Sequence, residues 1–239
     1  MAGILTRLSR KLRGKRIPKE PKPAVNDILG ERAAHSSADF IEPLLSSTLL
    51  FRRGDRIRDF AIRRAPAEGL LLELGVYRGD SINQFADILA KQTDARAIYG
   101  FDAFLGLSED WFGKSTPRET NFSRKGKPPR VRSNVQLEIG WLEDTLAPFL
   151  AQNPGPIAFM HIDTDTYSPA KLALTLCRER FVDGTIVLFD EHHGYPNWQN
   201  GEFKALNEIL TPGEYRYLAF ATQQAVIRIG RDTPAATFL

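Results

Sequence analysis

A single cysteine, Cys177, excludes any intramolecular disulfide and fits a reducing compartment. No stretch approaches the roughly 20 consecutive apolar residues that a membrane-spanning helix needs. The opening residues, with Arg7, Arg10 and Lys11 set among short apolar steps, lack the apolar core of a secretory signal. Clusters of cysteine and histidine at zinc spacing are missing as well. These absences lead to the expectation of a cytoplasmic protein. The rest of the composition, 42% hydrophobic and 26% charged, is that of an ordinary globular chain, and 239 residues suffice for one α/β domain with additions.

Acidic residues are scarce at the start. Residues 1–24 hold eight lysines and arginines against Glu20 alone, a net charge of +7; the formal total is +3, so residues 25–239 sum to −4. The folded body therefore carries no basic surface of the kind nucleic acid requires. Ile4, Leu5, Leu8 and Leu12 recur among these cations at near-helical spacing. The arm reads either as an amphipathic segment in peripheral contact with an anionic membrane or as a solvated, disordered tail ending in Pro18, Pro21 and Pro23. Residues 25–66 read as a helical extension, with apolar positions Phe40, Ile41, Leu44, Leu45 and Leu49, then Ile57, Phe60 and Ala61. That extension would either close over a site or join copies into a homo-oligomer.

From residue 67 to 239 the pattern alternates. Short apolar runs at 69–75, 97–102, 135–139, 157–163 and 185–190 are separated by helical periodicity, and 215–221 with 225–229 has the spacing of a closing hairpin. Such alternation implies a mostly parallel sheet with helices on both faces, seven-stranded, ending in an antiparallel hairpin. Ligands of such sheets bind at the carboxyl ends of the strands, where strand order reverses. Glu73, Asp102, Asp163 and Asp190 all fall at or near such ends. Unpaired buried carboxylates are costly, so four of them together point to a site. One segment, 113–133, breaks the pattern and carries seven basic residues against Glu119. It reads as a solvated loop or as part of a lid facing an anionic substrate.

The run Glu73-Leu-Gly-Val-Tyr-Arg-Gly-Asp-Ser81 is a glycine-rich turn between a strand and a helix. Its G-x-x-x-G spacing fails the dinucleotide fingerprint G-x-G-x-x-G. An acidic residue two places before Gly75 suits a ligand that carries an amino group. Asp102, ending the next strand, suits a pair of ribose hydroxyls. Together with the stretches Phe101–Glu109, Gly140–Leu146, His161–Ser168 and Phe189–Tyr195, in that order and spacing, this turn resembles the macrocin O-methyltransferase family. The likeness covers roughly residues 68–210.

The resemblance implies a Rossmann-like class I methyltransferase fold and S-adenosylmethionine as donor. The turn, through Glu73, Gly75, Val76, Tyr77, Gly79 and Ser81, would hold the methionyl part, and Asp102 the ribose. Gly140 and Trp141 would border the adenine, with Phe104 a further candidate. It also implies Mg²⁺ or a similar divalent cation on Asp163, Asp190 and Glu191, the family's aspartate pair being Asp190-Glu191 here. Oxygen ligands suit a hard cation; the alternative is that these carboxylates cap helices. Asp163 would border the donor as well, with Asp165 as a further ligand or a support for the donor's ammonium. His192 and His193 follow at once and are the candidate general bases, unless they simply pack. Tyr195, Trp198 and Glu202 form a candidate platform for a carbohydrate or other small-molecule acceptor. A catechol-like acceptor and a non-catalytic scaffold are the competing readings.

Overall fold

The computed structural model describes residues 24–113 and 122–230. The helical start is α1 (Val25–Ile41), after which Pro43 sits in a short 3-10 turn, Glu42–Leu44. There follow β1 (Leu49–Leu50), α2 (Gly54–Ile62), β2 (Leu70–Leu74), α3 (Asp80–Lys91), β3 (Ile98–Asp102) and β4 (Val135–Ile139). Next come α4 (Leu142–Gln152), β5 (Ile157–Ile162), α5 (Tyr167–Cys177), β6 (Phe181–Phe189), α6 (Glu202–Ile209), β7 (Tyr215–Phe220) and β8 (Ala225–Ile229). The basic arm, residues 1–24, lies outside the described residues but for Ala24. Among the described residues no helix is long and apolar enough to cross a membrane.

The strands form one sheet in the order β1-β7-β8-β6-β5-β2-β3-β4, and β8 is its one antiparallel strand. Among the described residues the expected seven strands are therefore eight. Leu49 and Leu50, read as helical, instead pair in parallel with Ala219 and Phe220. Their spacing from Phe40 fits a helix, but Pro43 lacks the amide that would continue it.

The alternation of side chains sorts the core into two layers. Leu71, Phe159, Ile186, Leu188 and Val226 pack with α2 and α3, whereas Leu72, Leu74, Met160, Val187 and Ile227 pack with α4, α5 and α6. The central strand β5 is buried along its whole length, as a parallel strand covered on both faces should be. Strand order reverses between β2 and β5. Both neighbours of this seam, β3 beyond β2 and β6 beyond β5, end at the same edge, so four strand ends open onto one place.

Candidate functional site

The seam is tightly built. Gly75 takes a φ of +91°, and a Cβ there would collide with the carbonyl oxygen of Asp163. The amide of Asp163 donates to Leu74 O (2.8 Å) and that of Gly75 to Phe101 O (2.9 Å). Asp102 then ties the turn to β3: its Oδ2 accepts from the amides of Val76 (2.9 Å) and Tyr77 (2.7 Å), and its Oδ1 from Phe104 (2.6 Å). Three residues here with side chains, Tyr77 (φ +48°), Phe104 (φ +57°) and Asp165 (φ +62°), sit in the left-handed region. Such strain persists only where the surroundings enforce it, and it gathers at ligand sites.

Below these strand ends opens a cavity of about 280 Å³. Gly75, Tyr77, Asp102, Gly140, Trp141 and Asp163 line it, together with Asp190 and Glu191. Thr164, Asp165, Leu142 and Glu143 line it too, and the loop after β3 adds Leu107 and Ser108. Asp102 reaches the cavity with part of its acceptor capacity already used by the turn, though each carboxylate oxygen can accept again.

Five expected donor contacts are placed elsewhere. Glu73 is fully buried: Ser81 Oγ donates to its Oε1 (3.0 Å), and its Oε2 faces His161 Nδ1 (3.1 Å). Glu73 and Ser81 thus satisfy one another behind the turn. Val76 packs in the α2–α3 layer, Phe104 is buried in the same layer, and Gly79 precedes α3 with its Cα toward Pro129.

Behind the cavity a polar line continues. His161 Nε2 meets Asp190 Oδ1 at 3.4 Å, and that oxygen also receives the amide of Gln224 and lies 3.9 Å from Arg58. Burial alone would lower the His161 pKa, but its hydrogen bonds to Asp190 and Glu73 win and lift it to about 10. The histidine is therefore an imidazolium at neutral pH. Burial would raise the Asp190 carboxyl, yet the hydrogen bond and charge of His161, with Gln224 and Arg58, hold it below the usual range.

The other carboxylates lack such compensation. Burial, then the charge of Asp190, pushes Asp163 well up; burial, then Asp165, Asp190 and Asp163, does the same for Glu191. Glu191 Oε2 is buried with no hydrogen-bond partner. Ligand oxygens of Asp163, Asp165 and Glu191 lie within 4.8 Å of one another, and atoms of His161, Asp163 and Asp190 do likewise. In the second group His161 already uses both ring nitrogens, so it is a donor there and not a metal ligand. What remains is an all-oxygen set with surplus negative charge, the chemistry of a hard divalent cation.

The chain matches the model of a methyltransferase-domain family over residues 72–192, from β2 to the turn after β6. It belongs to that methyltransferase family. No curated protein matches the chain. Among solved structures it is similar to CalS11, a calicheamicin methyltransferase, with a TM-score of 0.61 and 23% identity over 87% of this chain and 94% of that one. The apo form of CalS11, described as a TDP-rhamnose 3'-O-methyltransferase, gives a TM-score of 0.55 at 22% identity over 87% and 96%. The O-methyltransferase NovP gives 0.54 at 20% identity over 74% and 79%. These likenesses show the fold, and with the family they make the protein an S-adenosylmethionine-dependent methyltransferase.

The methyltransferase departs from expectation in its histidines and its platform. His192 and His193 are buried and line neither this cavity nor its neighbour. His192 Nε2 is 2.8 Å from Tyr217 OH, and its ring packs among Phe40, Phe189 and Phe203. Burial pushes His192 well below its ordinary pKa and His193 to about 4. A general base must reach the proton it takes, and these rings do not. Trp198 and Glu202 are also buried: Trp198 Nε1 donates to Ser36 Oγ of α1 (3.0 Å), and Glu202 Oε2 accepts the Glu191 amide (3.0 Å). Tyr195 lines only the neighbouring cavity. The cause is α1, which docks on this loop through Ser36, Ser37 and Phe40, with Ser37 Oγ accepting the Gly194 amide at 2.8 Å. No lysine or arginine of the 113–133 segment lines either cavity among the described residues.

Proposed function

We propose that this methyltransferase is a divalent-cation-assisted O-methyltransferase of the macrocin type, acting on a hydroxyl of a sugar or glycosylated metabolite. The observation that carries the reading is the set of Asp163, Asp165 and Glu191 oxygens within 4.8 Å of one another, gathered where the family places its methyl donor. CalS11 and NovP, O-methyltransferases of the same fold, support the choice of oxygen as acceptor.

In this reading Gly75 and Tyr77 receive the methionyl part of S-adenosylmethionine. Asp102 accepts from the ribose, and Gly140, Trp141 and Glu143 border the adenine. Asp163 and Glu191, with Asp165 beside them, would hold the cation, which when bound would lower the pKa of an acceptor hydroxyl. Glu73, Ser81 and His161 act from behind, setting the position and charge of Asp190. Because the sulfonium is already an activated donor, alignment contributes most of what the protein must supply. The acceptor oxygen forms the new O–C bond while the C–S bond breaks and its electron pair passes to sulfur. Asp165 takes the hydroxyl proton: its carboxylate lies beside those of Asp163 and Glu191 and lines the cavity.

Titration calorimetry with S-adenosylmethionine, with and without Mg²⁺, tests the reading. Micromolar binding is expected, lost in Asp102→Ala protein that remains folded by circular dichroism. Absence of binding by the folded parent chain would overturn it.

A further inference from the structure

The donor cavity continues past its carboxylates. Asp165 also lines a second cavity, of about 150 Å³, and is the one residue the two share. Trp111 and Phe112 from the loop after β3 wall it, with Tyr195, Asn197 and Asn200 from the loop after β6. Trp111 and Tyr195 meet edge to face with centroids 5.9 Å apart. Asn197 is fixed by two hydrogen bonds, donating to Phe112 O (3.3 Å) and accepting from Asn200 Nδ2 (2.7 Å). Aromatic walls with a few placed polar groups are the make-up of a small-molecule site, and the two cavities together reach the roughly 300–1,000 Å³ such sites occupy.

The charge of this lining has one sign. Glu109, Asp110 and Asp165 contribute carboxylates, and no lysine or arginine lines the cavity among the described residues. The positive end of α5 would favour an anion, but Glu109 already occupies it, accepting from Ser168 N (2.8 Å) and Ser168 Oγ (2.6 Å).

We propose that the second cavity is the acceptor subsite, and that it takes a sugar ring that is uncharged or bears an amino group while rejecting a uronic acid. The inference rests on the reading of the first cavity as the donor site. A pyranose offers C–H faces to Phe112 and Tyr195 and a rim of hydroxyls to Asn197, Asn200 and Asp165. A ring carboxylate would meet Asp110 and Asp165 as like charges. The hydroxyl directed at Asp165 is the one that reaches the methyl group, so the shared residue also sets the position methylated.

The test uses the full chain saturated with S-adenosylhomocysteine and Mg²⁺, titrated with methyl glucoside, methyl glucosaminide and methyl glucuronide and followed by saturation-transfer NMR. The glucoside and glucosaminide should bind, and the glucuronide about tenfold or more weaker. Asp110→Lys should close most of that gap. Phe112→Ala, at a side chain 74% exposed and so dispensable to the fold, and Asn200→Leu should each weaken the glucoside roughly fivefold or more. Neither should move S-adenosylhomocysteine affinity. Glucuronide binding as tight as glucoside overturns the charge rule. Protein that binds S-adenosylhomocysteine but no glycoside, or variants that bind the glucoside unchanged, overturn the subsite. Failure to bind S-adenosylhomocysteine at all brings down the donor reading beneath it, a separate outcome.

Discussion

The backbone carbonyl of Asp163 stands where a side chain on Gly75 would have to go, so the two central strands close upon each other at the cavity that both residues line. Gly75→Ala must both enter a positive-φ conformation and displace that carbonyl. We expect a loss of roughly 3 kcal/mol in stability, read by urea unfolding, together with loss of S-adenosylmethionine binding. An unchanged denaturation midpoint would show that β2 and β5 can separate freely.

Removing the buried imidazolium should be costly in a pH-dependent way. His161→Gln leaves Glu73 and Asp190 facing each other without a cation, at a cost of about 3–5 kcal/mol near neutrality. The folded pKa of His161 is raised from 6.5 to about 10, so its contribution is fully present below 6.5 and is lost as pH rises through about 10. Parent protein should therefore lose stability over that window more steeply than the variant. Parallel pH profiles would show that His161 is neutral in the folded state.

Glu191 makes the opposite prediction. Its carboxylate is pushed well up by burial and by Asp165, Asp190 and Asp163, so without a cation it works against the fold. Glu191→Gln should stabilise the metal-free protein and abolish the stabilisation that added Mg²⁺ gives the parent. Differential scanning calorimetry with and without Mg²⁺ reads both effects. A variant less stable without metal, yet still stabilised by it, would place the cation elsewhere.

The same carboxylates set how cation binding follows pH. Asp163 and Glu191 are held above the ordinary carboxylate range, so protons compete with the metal at pH values where exposed carboxylates would already be ionised. Mg²⁺ affinity should rise steadily from mildly acidic to mildly alkaline solution. A flat profile by calorimetry would contradict the assignment.

The proton acceptor can be separated from the histidines by kinetics. Asp165→Asn should lower kcat about 10²- to 10⁴-fold. His193→Gln should leave kcat within a few-fold and lower the melting temperature, since the ring packs against Phe220 and lines neither cavity. Equal kinetic losses in the two variants would return a histidine to the reaction.

What could be read in the chain beforehand was whatever depends on neighbours in sequence. The apolar runs of β5 and β6 and the hairpin spacing of β7 and β8 all specify their elements locally, and the acids just past β3, β5 and β6 fall at the cavity because strand ends face it. Glu73 shows a signal that was present and missed. It alternates with Leu72 and Leu74, so it must face the layer of Leu71; but that His161 waits opposite it follows only from the register of β2 on β5. His192, His193 and Trp198 gave no such signal. His192 and Trp198 are covered by α1, more than 150 residues earlier in the chain, and His193 by Phe220, and no local pattern encodes those contacts. The two-residue β1 was hidden for a similar reason, since its pairing with Ala219 and Phe220 is decided wholly by distant residues.

The docking of α1 and β1 also orders events at the ribosome. The first described helix finds its partners, Gly194 and Trp198, only after β6 has been made, and β1 finds its own only when Phe220 has left the exit tunnel. Until then Phe40 lacks the aromatic rings of Trp198, Phe203 and Phe220 that it packs against. The sheet from β2 to β6 can assemble during synthesis, while the segment made before it waits for the last strands to arrive. The loop after β6 thus closes on a helix made more than 150 residues before it.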